Sequence, residues 1–94
     1  MVATVANTQA IAFNDNAFQN TLGDIGAKIT ALRRQKGYTS HESFAHDFDL
    51  PRAQYWRLEK GKANFTIKTL SKVLAIHNLT LHDFFCQSQT IQET

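Results

Sequence analysis

The chain has 94 residues, with ten Lys and Arg against eight Asp and Glu, a formal net charge of +2. That length holds one domain at most, burying about 60% of the surface its unfolded chain exposes. The single cysteine, Cys86, excludes an intrachain disulfide and a cysteine-based metal site, and no run approaches the ~18 apolar residues of a membrane-spanning helix. The net charge hides an uneven distribution. All ten cations lie between Lys28 and Lys72 with only four acids (Glu42, Asp47, Asp49, Glu59), so this segment carries +6, and residues 1–27 hold no cation. A basic middle between neutral ends points to a localised anionic partner. A lone cysteine fits a reducing cytoplasm. The first residues lack a basic n-region and a sustained apolar run, so no signal peptide is expected.

Three regions are expected: an N-terminal arm (1–14), one helical domain (15–86) and a polar C-terminal tail (87–94). The arm has no clear period, and its short apolar run, Ala10 to Phe13, is either a docking element for a partner subunit or part of a frayed end. The first helix is marked by Phe18, Leu22, Ile25, Ile29 and Leu32, which step by four and three along one face. Two starts compete: Thr21 with Asp24 resembles a capping box, while Phe18 extends the stripe back towards Asp15 or Asn16. Gly37 ends this helix, and Arg33, Arg34 and Lys36 favour the negative end of its dipole.

The second helix covers roughly Ser40 to Asp47, capped by Thr39 with Glu42 three residues on, or by Ser40. Phe44 and Ala45 face inward, and Phe48 and Leu50 follow as core residues. The third helix is read from Pro51 to Lys60. Pro51 suits a helix start, where no backbone N–H is needed, and Gly61 suits a left-handed end. Tyr55 and Leu58 share the inward face. Arg52, Ala53, Trp56, Arg57 and Lys60 form one outward stripe with three cations and no carboxylate. The fourth helix runs Ile67 to Ile76 after a Thr66 cap, with Ile67, Leu70, Val73 and Leu74 on one face, and Asn78 can end it. Thr80 with Asp83 opens a fifth helix carrying Leu81, Phe84 and Phe85. The expected fold is all-α, with five short helices, tight connections and no strand signal.

Two short helices joined by a tight turn, the second basic on its outer face, make a helix-turn-helix. The segment from Leu22 to Phe85 resembles the Cro/C1-type (XRE) family, whose fold is lambda repressor-like. The residues that carry the resemblance are Leu32 to Tyr38 (LRRQKGY), Phe44-Ala45, Arg57 to Lys62 (RLEKGK), Thr69-Leu70 through Val73, and Leu79 to Phe85 (LTLHDFF). The sequence departs from the family where Asp49 replaces the small residue, often Gly, of the turn between helices two and three. Pro51 also stands where Ser or Thr normally caps the third helix, and the Gly37–Ala45 stretch is one residue longer. The resemblance implies a transcriptional regulator that binds double-stranded DNA, usually as a homodimer on a two-fold-symmetric site.

By that resemblance Arg52, Ala53, Trp56 and Arg57 match positions facing the major groove, with Gln54 at the stripe's edge. Arg can bond bidentately to guanine O6 and N7, and Ala53 leaves room for a thymine methyl. Trp56 either packs against a thymine methyl or sugar, or is partly buried against the end of the second or fourth helix. Phosphate contacts are expected from Ser40 and His41, where the second helix presents free N–H groups, and from Lys60, Lys62 and Asn64. The resemblance also implies that Arg33 and Glu59 pair to join the first helix to the third. Leu81, Phe84, Phe85 and Cys86 offer apolar surface for a dimer. The four histidines (His41, His46, His77, His82) show no metal-ligand spacing and are expected to be solvent-exposed. No cofactor, metal or catalytic constellation is expected. The competing class is a protein-interaction module, such as the antitoxin of a toxin–antitoxin pair.

Overall fold

The computed structural model describes residues 12–62 and 65–86. Of the expected arm only residues 12–14 fall among them, and the expected tail lies wholly outside. Among the described residues the chain forms five helices and no strand: α1 Asp15–Gln35, α2 His41–Asp47, α3 Arg52–Lys60, α4 Ile67–Ile76 and α5, described over 81–86.

Each helix start is set by a short polar side chain, with one exception. Asn14 Oδ1 accepts the Ala17 N–H at 3.1 Å, so α1 begins well before Thr21. Thr21 lies inside that helix, and its hydroxyl donates back to the Ala17 carbonyl. Ser40, not Thr39, caps α2 by accepting the Ser43 N–H at 3.0 Å. Thr66 caps α4 through the Thr69 N–H at 3.1 Å. Thr80 and Asp83 satisfy each other's backbone N–H in a reciprocal box at the start of α5. The exception is α3, which starts at Pro51 without a side-chain cap.

The first four helices end alike. Gly37, Asp49, Gly61 and Asn78 all take the left-handed conformation, at φ of 96°, 57°, 63° and 60°. The next residue's N–H then reaches back five positions: Tyr38 to Arg33, Leu50 to Ala45, Lys62 to Arg57 and Leu79 to Leu74, at 2.8–3.2 Å. These are Schellman closures, which satisfy the last carbonyls and turn the chain sharply. Asp49 and Asn78 hold this conformation because a short polar side chain tolerates it better than other non-glycine residues.

One core cluster joins all five helices: Ile25 and Ile29 of α1, Phe44 and Ala45 of α2, Tyr55 and Leu58 of α3, Leu70, Val73 and Leu74 of α4, and Phe84 of α5. Phe44 stacks on Tyr55 with ring centroids 5.0 Å apart, and Tyr38 meets its edge at 5.3 Å. Phe48 and Leu50 pack at the margin of the cluster.

Four residues differ from the sequence reading, among them His41, which is half-buried at the start of α2 and not solvent-exposed. Ile67 is 62% exposed, because Phe65, just ahead of the Thr66 cap, packs against the core in its place. Phe84 is fully buried and is a core residue rather than outward surface. The Lys28 ammonium donates to its carbonyl at 2.7 Å and lies 4.1 Å from its ring centroid. His77 is half-buried, not solvent-exposed. Its ring lies parallel to that of Phe44, 5.4 Å away, and its Nε2 is buried without a hydrogen-bond partner among the described residues. Burial, and then the nearby Lys36 charge, push its pKa below the ordinary histidine value.

Candidate nucleic-acid interface

α3 packs against both α1 and α2. Tyr55, Leu58 and Glu59 are buried beneath it, while Arg52, Ala53, Gln54, Trp56, Arg57 and Lys60 are exposed above it. Two glycine-dependent approaches set its distance from α1. A Cβ at Gly26 would collide with the backbone carbonyl of Glu59, and one at Gly61 would lie 2.8 Å from Gly23 Cα. Backbone thus rests on backbone along one side of α3, and no flexible side chain can give way.

The lateral brace is electrostatic. Arg33 Nε donates to Glu59 Oε2 at 2.7 Å and Nη2 to Oε1 at 3.0 Å, a bidentate pair whose side chains are 6% and 3% exposed. Arg33 Nη1 also donates to the Tyr38 carbonyl at 2.9 Å, while the Tyr38 N–H returns to the Arg33 carbonyl. One guanidinium therefore ties the end of α1 and the following turn to α3. Burial works to raise the Glu59 carboxyl, but the hydrogen bonds from Arg33 and its neighbours hold it below the usual glutamate range. Tyr55 lies beside this pair. Burial, reinforced by the Glu59 carboxylate, pushes its phenol well above the ordinary tyrosine value, so it stays neutral.

Above this support the exposed face has its own order. Arg52 Nη1 donates to Glu42 Oε2 at 3.0 Å, across the turn between α2 and α3. Arg52, Ala53 and Trp56 line one wall of a shallow groove of about 280 Å³, with His41 and Glu42 on the other. Trp56 is 36% exposed, so it is partly covered beside the start of α2 while still forming outer surface. Ser40 and His41 are half-buried at that start, and Lys62 is exposed just past α3. Asn64 lies outside the described residues.

Spacing and motif do not single out two residues that shape this surface, Glu42 on it and Gly26 beneath α3. In the sequence Glu42 pairs with Thr39 as one of two possible caps, the other being Ser40. With Ser40 as the cap, Ser43 occupies the position three residues on and the Glu42 carboxylate turns to Arg52 instead. Gly26 sits inside a regular helix, where spacing alone gives no sign of a neighbouring backbone.

On α5 the side chains divide. Phe84 is buried and Leu81 half-buried against the core, leaving Phe85, 48% exposed, and Cys86 on the outside. Cys86 Sγ rests 3.6 Å from His82 Nε2. Among the described residues no helix is long and apolar enough to cross a membrane.

The architecture defines a small all-helical helix-turn-helix protein, with α2 and α3 as the motif. Comparison with known proteins agrees with that class. Control protein C.MunI of Mycoplasma sp is 40% identical over 60 residues, covering 64% of this chain and 81% of that protein. The chain belongs to the family of this control protein. The plasmid copy control protein CopR of Streptococcus agalactiae is 37% identical over 51 residues, 54% of this chain, which spans 55% of CopR's length. No family model matches the chain, and no solved structure does. Both relatives are regulatory control proteins by name, and neither name denotes an enzyme.

Proposed function

We propose that this protein is a cytoplasmic transcriptional regulator that binds a specific sequence in double-stranded DNA, acting without cofactor, metal or catalysis. α3 enters the major groove. Arg52, Ala53, Gln54, Trp56 and Arg57 meet base edges, and Ser40, His41, Lys60, Lys62 and Asn64 meet phosphates on either side. The observation that carries this reading is the two-sided construction of α3. Its inner face is fixed by Tyr55, Leu58 and the Arg33–Glu59 pair, and its outer face presents Arg52, Arg57 and Lys60 around Trp56. Rigid presentation matters because base readout depends on hydrogen-bond geometry, with each bidentate Arg–guanine pair contributing about 1–3 kcal/mol of discrimination. The +6 balance of residues 28–72 supplies the attraction to phosphate. The names of the two relatives, a control protein and a copy control protein, favour a regulatory role.

Dimerisation on a two-fold-symmetric site follows from the same reading, with Phe85, Leu81 and Cys86 as the candidate contact surface. Such a dimer sets its reading helices about 34 Å apart on half-sites about 10 bp apart.

The test is selection of bound sequences from random duplex DNA, then titration of the selected and random duplexes at two salt concentrations. The expected result is a symmetric site bound far more tightly than random DNA, with affinity falling as salt rises. Equal affinity for both duplexes would rule out sequence-specific regulation. Salt-insensitive or absent binding to either would favour a protein partner, as for an antitoxin.

A further inference from the structure

We infer that Glu42 sets the base selectivity of this surface by positioning Arg52. This rests on the reading of α3 as the helix that meets base edges. The turn between α2 and α3 brings two residues ten apart in sequence into a direct ion pair, Arg52 Nη1 to Glu42 Oε2 at 3.0 Å. The two side chains are 67% and 59% exposed, and exposed ion pairs contribute little to fold stability. The other α2 carboxylate is engaged elsewhere, since Asp47 accepts the Tyr38 hydroxyl at 2.8 Å. Glu42 thus places a negative charge beside a cationic face, where it opposes approach to phosphate.

The geometry gives that charge a use. A guanidinium offers five N–H donors in a planar fork. With Nη1 held by Glu42, Nε and Nη2 remain to face an acceptor pair such as guanine O6 and N7. Trp56 and Ala53, which line the same groove, restrict where the planar group can lie. On a guanine, Arg52 keeps Glu42 and gains two bonds. On any other base it keeps Glu42 alone, and it is not released to a nearby phosphate. Glu42 therefore lowers binding to wrong DNA more than binding to right DNA, and this difference is what selectivity consists of.

The experiment compares the wild-type protein with Glu42→Ala, Arg52→Ala and the double variant. Each is titrated against the selected duplex, the same duplex with the Arg52-contacted base pair exchanged, and random duplex, over a range of salt. The melting temperature of each variant is recorded to verify folding, and Glu42→Ala should leave it nearly unchanged because the pair is exposed. Glu42→Ala is expected to lower discrimination at that base pair about tenfold. It should also bind random DNA more tightly, with a salt dependence steeper by about 0.9 per subunit as the liberated Arg52 finds a phosphate. In the Arg52→Ala background, removing Glu42 should cause no further loss of discrimination. Wild-type preference for the selected site with undiminished discrimination in Glu42→Ala overturns the Glu42 role alone. No wild-type preference for any site overturns both this inference and the DNA-reading function on which it rests.

Discussion

Glu59 lies within the basic third helix, yet it is nearly buried and both of its oxygens are taken by one guanidinium. Removing one partner of such a pair strands the other as an uncompensated charge, which costs about 3–5 kcal/mol even where the intact pair adds little net stability. Glu59→Ala should therefore lower the melting temperature by roughly 15 °C or more in a thermal unfolding scan. An unchanged value would mean that the pair does not brace α3. Because the folded-state carboxyl is held below the ordinary glutamate range, its contribution is present above that range and is lost as pH falls through the lowered value. Wild-type stability should thus decline on the acid side of pH ~4.5, and Glu59→Gln should flatten that limb of the profile. Asp49 presents the opposite case. It holds φ at 57° in the turn between α2 and α3, a conformation that disfavours a residue with a Cβ. Asp49→Gly should raise stability by roughly 0.5–1 kcal/mol, after allowing for the greater unfolded-state freedom of glycine. Destabilisation on chemical denaturation would show that the Asp49 side chain supports the turn.

The contact between α1 and α3 is decided by backbone. At Gly26 a methyl group would meet the Glu59 carbonyl, whereas at Gly23 nothing lies within 4 Å of the same added atom. Both positions are in one helix, where alanine is intrinsically better than glycine by about 1 kcal/mol. The two substitutions should therefore diverge. Gly23→Ala should gain up to about 1 kcal/mol, while Gly26→Ala should lose about 1–3 kcal/mol by forcing α3 outward. Denaturant unfolding of both variants checks this, and a gain at both sites would mean that α1 and α3 are not in close contact. The comparison also marks what the sequence made legible at this scale. The five helices could be read because apolar residues recur at three and four, and because Ser40, Thr66, Thr80, Gly37, Gly61 and Asn78 carry the chemistry of helix ends. The two faces of α3 were legible too, since Tyr55 and Leu58 separate from Arg52, Trp56 and Lys60 by helical spacing alone. What escaped were features fixed by a second element. Ile67 fits its stripe but yields its place to Phe65. Phe84 and Phe85 are adjacent aromatics, and only the seating of α5 decides which is buried. His77 looks polar until Phe44 lies parallel to it, and Glu42 looks like a cap until Ser40 takes that role.

At the scale of the whole molecule, the cations at and around α3 fall into two groups with different work. Arg33 is spent inside, on Glu59 and the Tyr38 carbonyl, whereas Arg52, Arg57, Lys60 and Lys62 remain on the outer surface of α3 and its C-terminal turn. On the proposed reading these outer cations divide again, into Arg52 and Arg57, which read bases, and Lys60 and Lys62, which hold the backbone from the last residue of α3 and from just beyond it. The division has a measurable consequence, because the two kinds of contact respond differently to salt and to sequence. A cation on phosphate adds about 0.9 to the slope of log affinity against log salt and is indifferent to the base pairs beneath it, whereas a cation on guanine changes the ratio between sites. Lys62 follows Gly61, where the Schellman closure directs the chain away from the α3 axis, with the Lys62 N–H bonded back to the Arg57 carbonyl at 3.0 Å. Lys62→Ala should therefore reduce the salt slope by about 0.9 per subunit and weaken binding to selected and random duplexes by the same factor. Its melting temperature should stay near the wild-type value, because the side chain is exposed. Titrations of both duplexes from low to moderate salt settle the matter. Equal weakening places Lys62 on the backbone, and a changed ratio between the duplexes places it on the bases and extends the reading surface past the end of α3.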